Sequence, residues 1–166
     1  MWWLGIAASF IGILFMVNMF FNASQFNQDI SSWNVGRVTT MNKMFDNTTL
    51  FNKDLGNWDV GSVRSMIDMF KDVTLSTENY DNTLIGWATD SSGTAGDGID
   101  DIPGLITFDG GSSQYCLSEA NRQALITTHS WNITDGGWNC HIYFITTWKT
   151  DNPGGNANEI IIPTTG

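Results

Sequence analysis

Cys116, Cys140, His129 and His141 are the side chains best suited to hold a metal. No C-x-x-C or H-x-x-x-H spacing pairs any two of them, so no zinc site is expected. The two cysteines flank one candidate helix and fit a single disulfide closing a loop of about 25 residues; two reduced, unrelated thiols are the alternative. Nucleophilic hydrolysis would need a Ser or Cys elbow with a histidine and a carboxylate. G-x-S-x-G is missing, and only His129 and His141 could serve as base. The Gly-rich phosphate loops G-x-x-x-x-G-K-[ST] and G-x-G-x-x-G are missing too. Between Lys71 and Arg122 there is no cation, while Glu78, Asp81, Asp90, Asp97, Asp100, Asp101, Asp109 and Glu119 crowd the same interval. Without the D-x-D-x-D-G rhythm of a calcium loop, that interval reads as a solvated acidic surface. Asp100-Asp101 is the obvious carboxylate pair for glycoside hydrolysis, yet adjacent loop acids are ordinarily just hydrated. The expectation is a chain with no catalytic residue, no metal and no cofactor.

Aromatic and repeated positions are the remaining candidates, and they have to be placed by a repeating frame. Met16, Met19 and Phe20 return as Met41, Met44 and Phe45 and again as Met66, Met69 and Phe70, a period of 25. Phe26-Asn27-x-Asp29-Ile30 becomes Phe51-Asn52-x-Asp54-Leu55, and Trp33-x-Val35-Gly36-x-Val38 becomes Trp58-x-Val60-Gly61-x-Val63. A period between about 20 and 50 residues marks stacked supersecondary units, none of which covers its own apolar face. The 8 Trp, 10 Phe and 7 Met suit a thin stack with few core positions per layer. A net charge of −10 with pI near 4.2 excludes nucleic acid as a partner, since phosphate binding needs clustered Lys and Arg.

Within a repeat, Met41, Met44 and Phe45 at i, i+3 and i+4 predict a short helix capped by Thr39 or Thr40, with Ser62 and Ser65 as the counterparts one repeat on. Phe51–Leu55 and Trp58–Val60 alternate apolar and polar residues and predict short strands. Asn27 and Asn52 occupy equal positions and could ladder along the axis. The third copy breaks off after Leu75; Ser76-Thr77 with Tyr80, Leu84 and Trp87 beyond it predicts an amphipathic helix closing the stack. Asp90–Gly98 reads as a polar loop. Leu105–Phe108 and Trp131–Thr134 read as strands ended by Asp-Gly-Gly, and Ser118 is expected to cap a helix running to about Thr128. Tyr143–Trp148 and Glu159–Ile162 are β-branched runs about the turn Asn152–Gly155.

The expected fold is α/β: a short leucine-rich-repeat-like solenoid of 25-residue repeats, each a short strand, a turn and a helical turn, then a small mixed cap and the start of a β module. In residues, 1–15 are an apolar segment, 16–75 the repeats, 76–142 the α/β cap and 143–166 the further module. The uncharged first 15 residues suit a signal peptide or a truncated capping segment. They are too short to cross a membrane, being about 22 Å long as a helix. Membrane contact is expected only through them.

Met16–Val35, M-x-x-M-F-x-x-A-S-x-F-N-Q-D-I-S-S-W-N-V, resembles the repeat of BspA-type leucine-rich-repeat surface proteins, and the likeness covers residues 16 to about 75. Asn79-Tyr80-Asp81 through Gly86-Trp87, Thr107-Phe108-Asp109-Gly110-Gly111, Tyr115-Cys116 and Trp131-x-Ile133-x-Asp135-Gly136-Gly137 resemble the segment C-terminal to such repeats in bacterial surface proteins. The resemblance implies a secreted or cell-surface bacterial protein, without catalysis, whose partner is a host, matrix or neighbouring surface protein. An accessory glycan-binding region of a secreted enzyme and a ligand-free spacer are the competing readings. Candidate binding residues are Arg37, Lys43, Lys53 and Asp59, at or beside positions that vary within the fixed frame. Trp33 and Trp58 join them as candidates for an exposed aromatic strip, against the alternative of a core ladder.

Overall fold

A computed structural model describes residues 15–89, 102–140, 143–146 and 160–163. The apolar segment 1–14, the loop at 90–98, the Asp100-Asp101 pair, His141 and the turn at 152–155 lie outside the described residues.

Where the spacing of Met41, Met44 and Phe45 predicts a helical turn, the chain forms consecutive tight turns instead. Lys43 and Asn47 sit at φ 56° and 57°, in the left-handed region, and the columns repeat as Asn18 and Asn22 before them and Asp68 and Asp72 after. A left-handed residue every fourth position is incompatible with an α-helix, and Asn and Asp tolerate it best among residues with a side chain. The freed backbone groups pair between repeats. Met16, Asn18, Phe20 and Asn22 donate their N–H to the carbonyls of Thr40, Asn42, Met44 and Asp46 at 2.8–3.1 Å. Met41, Lys43, Phe45 and Asn47 do the same to Ser65, Ile67, Met69 and Lys71. The i, i+3, i+4 apolar pattern thus arises from turns whose alternate amides form a parallel ladder to the next tier.

The expected caps have other duties. Ser62 Oγ donates to the Gly36 carbonyl, Ser65 Oγ donates to Asn42 Oδ1, and Thr40 forms isolated bridges to Phe15 and Ser65. Phe51–Leu55 and Trp58–Val60 are not strands. Both stretches are connecting backbone whose alternate apolar side chains are buried, so alternation here reports burial without a paired neighbour. Asn27 and Asn52 do ladder, by side chain to backbone: Asn27 Oδ1 accepts from Asn52 N at 3.0 Å, and Asn52 Oδ1 accepts from Ser76 N at 2.8 Å.

Rings stack down the axis. Phe20–Phe45 and Phe45–Phe70 centroids are 5.5 and 5.3 Å apart and the rings lie nearly parallel. Each buried Phe removes about 1.5–3 kcal/mol worth of apolar surface from water.

Helix α1, Thr77–Trp87, begins at Ser76, whose side chain accepts from Asn79 N at 3.3 Å. It buries Tyr80, Leu84 and Trp87. Its Thr83 Oγ1 accepts from Leu55 N, while Trp87 Nε1 donates to the Leu55 carbonyl, so one helix face satisfies both backbone groups of that residue. Gly86 permits the approach, because a β-carbon there would fall inside the Gly56 backbone.

Strand β1, Thr107–Asp109, comes next, then α2, Glu119–Thr127, and β2, Asn132–Thr134, which pairs parallel with β1. Leu105, expected in the strand, is instead exposed at φ 61°. Phe108 bridges to Met66 and Phe70 N donates to the Asp109 carbonyl, so β1 continues the ladder below the third tier. Gly111, at φ 66°, lies against the carbonyls of Phe70 and Val73, where no side chain fits. Phe108 meets Phe70 and Trp131 edge-on at 6.0 and 6.3 Å, which extends the aromatic core through the cap. Strands β3, Tyr143–Thr146, and β4, Ile160–Pro163, form an antiparallel pair. Among the described residues no helix is long and apolar enough to cross a membrane.

Candidate functional site

Corners of the tiers are built by short acids and amides that fold back on their own backbone. Asp29 and Asp54 accept from the N–H of Ser31 and Gly56, and Asn34 and Asp59 accept from Gly36 and Gly61, at 2.8–3.2 Å. These side-chain-capped turns recur at equal repeat positions, so each corner aligns with the next.

The sequence candidates fall into distinct settings. Arg37 and Asp59 are exposed, and the Asp59 carboxylate reaches up against Gly36, beside Arg37. Lys43 lies between Asp46 and Asp68, its Nζ 3.9 and 3.7 Å from their carboxylates, on the ladder side of the stack. Lys53 lines a shallow depression of about 310 Å³ with Asp29, Ser31, Asn52, Asp54, Asn57 and Asn79. The backbone N–H and hydroxyl of Ser31 hold Asp29 below its ordinary 3.8, and the charge of Lys53 adds to this.

Trp58 is corrected: it is 1% exposed, with Nε1 donating to the Ile30 carbonyl, and presents no surface to a ligand. Trp87 and Trp131 repeat this role, donating to Leu55 and Pro103. Trp33 is partly buried with its ring 5.9 Å from Phe20, so the two tryptophans form no exposed strip.

Sequence reasoning missed two polar clusters in the cap. Asp81 on α1 accepts from the backbone N–H of Cys116, Leu117 and Ser118 and from Ser118 Oγ at 2.6–3.0 Å. Ser118 stands at the start of α2 as expected, but its hydroxyl serves Asp81 and does not cap the helix. Burial works to raise the Asp81 carboxyl, yet the four hydrogen bonds outweigh it and hold the group below 3.8. In the second cluster, Tyr80 Oη and Arg122 Nε both donate to Asp135 Oδ2 at 2.8 Å, and Arg122 lies 4.8 Å over the Tyr115 ring. Burial, then the Asp135 charge, pushes the Tyr80 phenol well above 10.0, so it stays a donor. Only the two Asp-Gly-Gly turns hinted at this arrangement in the sequence. Both clusters have their polar groups turned onto one another, which is the arrangement of a clasp between α1, α2 and β2.

The disulfide Cys116–Cys140 is formed, with Cα atoms 4.6 Å apart. It closes the segment that Asp81 grips. Among the described residues no group of His, Cys, Asp and Glu could hold a metal.

Residues 11–97, just over half of the chain, match the family described as Mycoplasma protein of unknown function, DUF285. It is a repeat family found in bacterial surface proteins. No curated protein and no solved structure matches the chain.

Proposed function

The chain belongs to that Mycoplasma repeat family of unknown function, and we propose that it is a non-enzymatic, BspA-like cell-surface protein: a short leucine-rich-repeat-like solenoid that offers its outer face to a partner protein. The observation that carries this reading is the split between interior and rim. Phe20, Phe45 and Phe70 hold one column without change. The corner positions, by contrast, change from Asn34 to Asp59, both exposed, and from the exposed Arg37 to the half-buried Ser62. A fixed interior with a changing rim is how stacked repeats tailor a binding surface, and it asks nothing of nucleophiles or metals. Arg37 and Asp59 are the rim residues placed to touch a partner, because they are exposed and share one corner. Lys43, engaged by two carboxylates, contributes less. Secretion or surface attachment is part of the same reading and accords with the family's occurrence in surface proteins.

Binding of the purified chain to immobilised matrix and surface proteins tests it. Arg37→Glu with Asp59→Asn, which removes the charge but keeps the turn that Asn34 makes at the equivalent position, should weaken the interaction about tenfold or more if the corner is central to the interface, with an unchanged melting temperature. Equal binding by this variant, or none by the parent to any protein offered, would overturn the reading and leave a spacer.

A further inference from the structure

Every residue lining the depression around Lys53 is polar. Asp29, Ser31, Asn52, Lys53, Asp54, Asn57 and Asn79 converge there from two successive tiers and the first turn of α1. A fixed hydrogen-bond frame supports it. Asn52 Oδ1 accepts from both Ser76 N and Asn79 Nδ2 at 2.8 Å, and Asp54 Oδ1 accepts from Gly56 N at 2.8 Å. Other groups are left for a ligand: among the described residues, Lys53 Nζ makes no ion pair within 4.0 Å, and Asp54 Oδ2 and the Asn57 carboxamide make no hydrogen bond.

We propose that this depression binds a single neutral pyranose unit of a glycan, the Asp29 and Asp54 carboxylates accepting from its hydroxyls and Lys53 and Asn57 donating to them. The chemistry excludes the alternatives. An apolar ligand finds a wall that is mostly polar. An anion meets two carboxylates against one ammonium, and a bare cation meets that ammonium. A polyhydroxylated ring, which both donates and accepts at closely spaced oxygens, matches a wall that mixes carboxylates, amides, a hydroxyl and an ammonium. At about 310 Å³ the site is at the small end of the roughly 300–1,000 Å³ usual for ligand pockets, so it takes one ring. The site is open and wet, and water competes at every contact, so the dissociation constant is on the order of millimolar. Neither Arg37 nor Asp59 lines the site, and its occupation does not depend on a protein partner.

The test is an amide-shift titration of the isotope-labelled full chain. The probes are methyl β-glucopyranoside, methyl α-mannopyranoside and N-acetylglucosamine, with N-acetylneuraminic acid as the anionic comparison. At least one neutral sugar should give saturable shifts confined to the neighbourhoods of Asp29, Asn52–Asn57 and Asn79. Lys53→Met should weaken that sugar about tenfold, the loss expected of one charged hydrogen bond, without changing the melting temperature. Asn57→Ala, at an exposed side chain, should weaken it in the same direction should Lys53→Met fail to fold. No saturable shift with any neutral sugar, shifts scattered over the surface, tighter binding of the anionic sugar, or parent-like binding by the folded variants would each overturn the proposal.

Discussion

Asp81 illustrates how much one side chain can organise when its acceptor capacity is filled. Its carboxylate takes four hydrogen bonds from three consecutive residues, and no neutral side chain can accept as many. Asp81→Asn keeps one oxygen and turns the other position into a donor facing donors, so it should cost about 2–3 kcal/mol in urea unfolding. The pH dependence has a definite sign. With a folded pKa below the ordinary 3.8, the contribution of Asp81 is complete above 3.8 and is lost as pH falls through the lower folded value. Acid titration of stability should therefore show a loss below pH 3.8 that Asp81→Asn lacks. Thr40 is the opposite case. Its Oγ1 is buried without a partner among the described residues, so Thr40→Val should leave stability unchanged or raise it by up to about 1 kcal/mol, measured as the thermal midpoint. None of this was legible in the sequence, because a buried acid and a solvated one are the same letter. The partners of Asp81 lie 35–37 residues away.

At the scale of elements, legibility depended on whether the apolar period had one structural meaning. Tyr80, Leu84 and Trp87 sit on one face of a true helix because Ser76 caps it and no left-handed residue interrupts it. Met41, Met44 and Phe45 carry a similar spacing, but Lys43 and Asn47 turn the backbone left-handed and send the amides to the next tier. The signal was present as columns of polar residues, Asn18/Lys43/Asp68 and Asn22/Asn47/Asp72, all but Lys43 short Asn or Asp side chains, which apolar periodicity passes over. Tryptophan had the same ambiguity: repeated position fixed that Trp33 and Trp58 are equivalent, not that the indole of Trp58 would spend its N–H on Ile30 inside the stack. α1 is held to the second tier by the contact of Gly86 with Gly56. Gly86→Ala should therefore destabilise the protein by at least about 2 kcal/mol through overpacking, although Ala is the better helix former; a more stable variant in urea unfolding would refute the close contact.

Across the whole molecule the ladder and the aromatic core do not stop where the repeat pattern does. Thr40 bridges to Ser65, Met66 bridges to Phe108, and β1 pairs with β2, so the tiers and the cap share one set of hydrogen bonds. The disulfide closes 24 residues of the cap, and replacing both cysteines by serine should cost about 3 kcal/mol by the loop-closure estimate. Because cap and tiers are continuous, that loss should appear as an earlier, still single urea transition reported alike by Trp58 and Trp131. Two separated transitions would mean that the cap folds apart from the stack.

Alternate amides of the first two Met-x-x-Met-Phe stations bond to the carbonyls one tier on and not back along a helix. Couplings across hydrogen bonds in a long-range HNCO spectrum read this directly. Correlations are predicted from Phe20 N to Met44 C′, Lys43 N to Ile67 C′ and Phe45 N to Met69 C′. Correlations from these amides to carbonyls four residues earlier in the same repeat would restore the helical reading and contradict the stack.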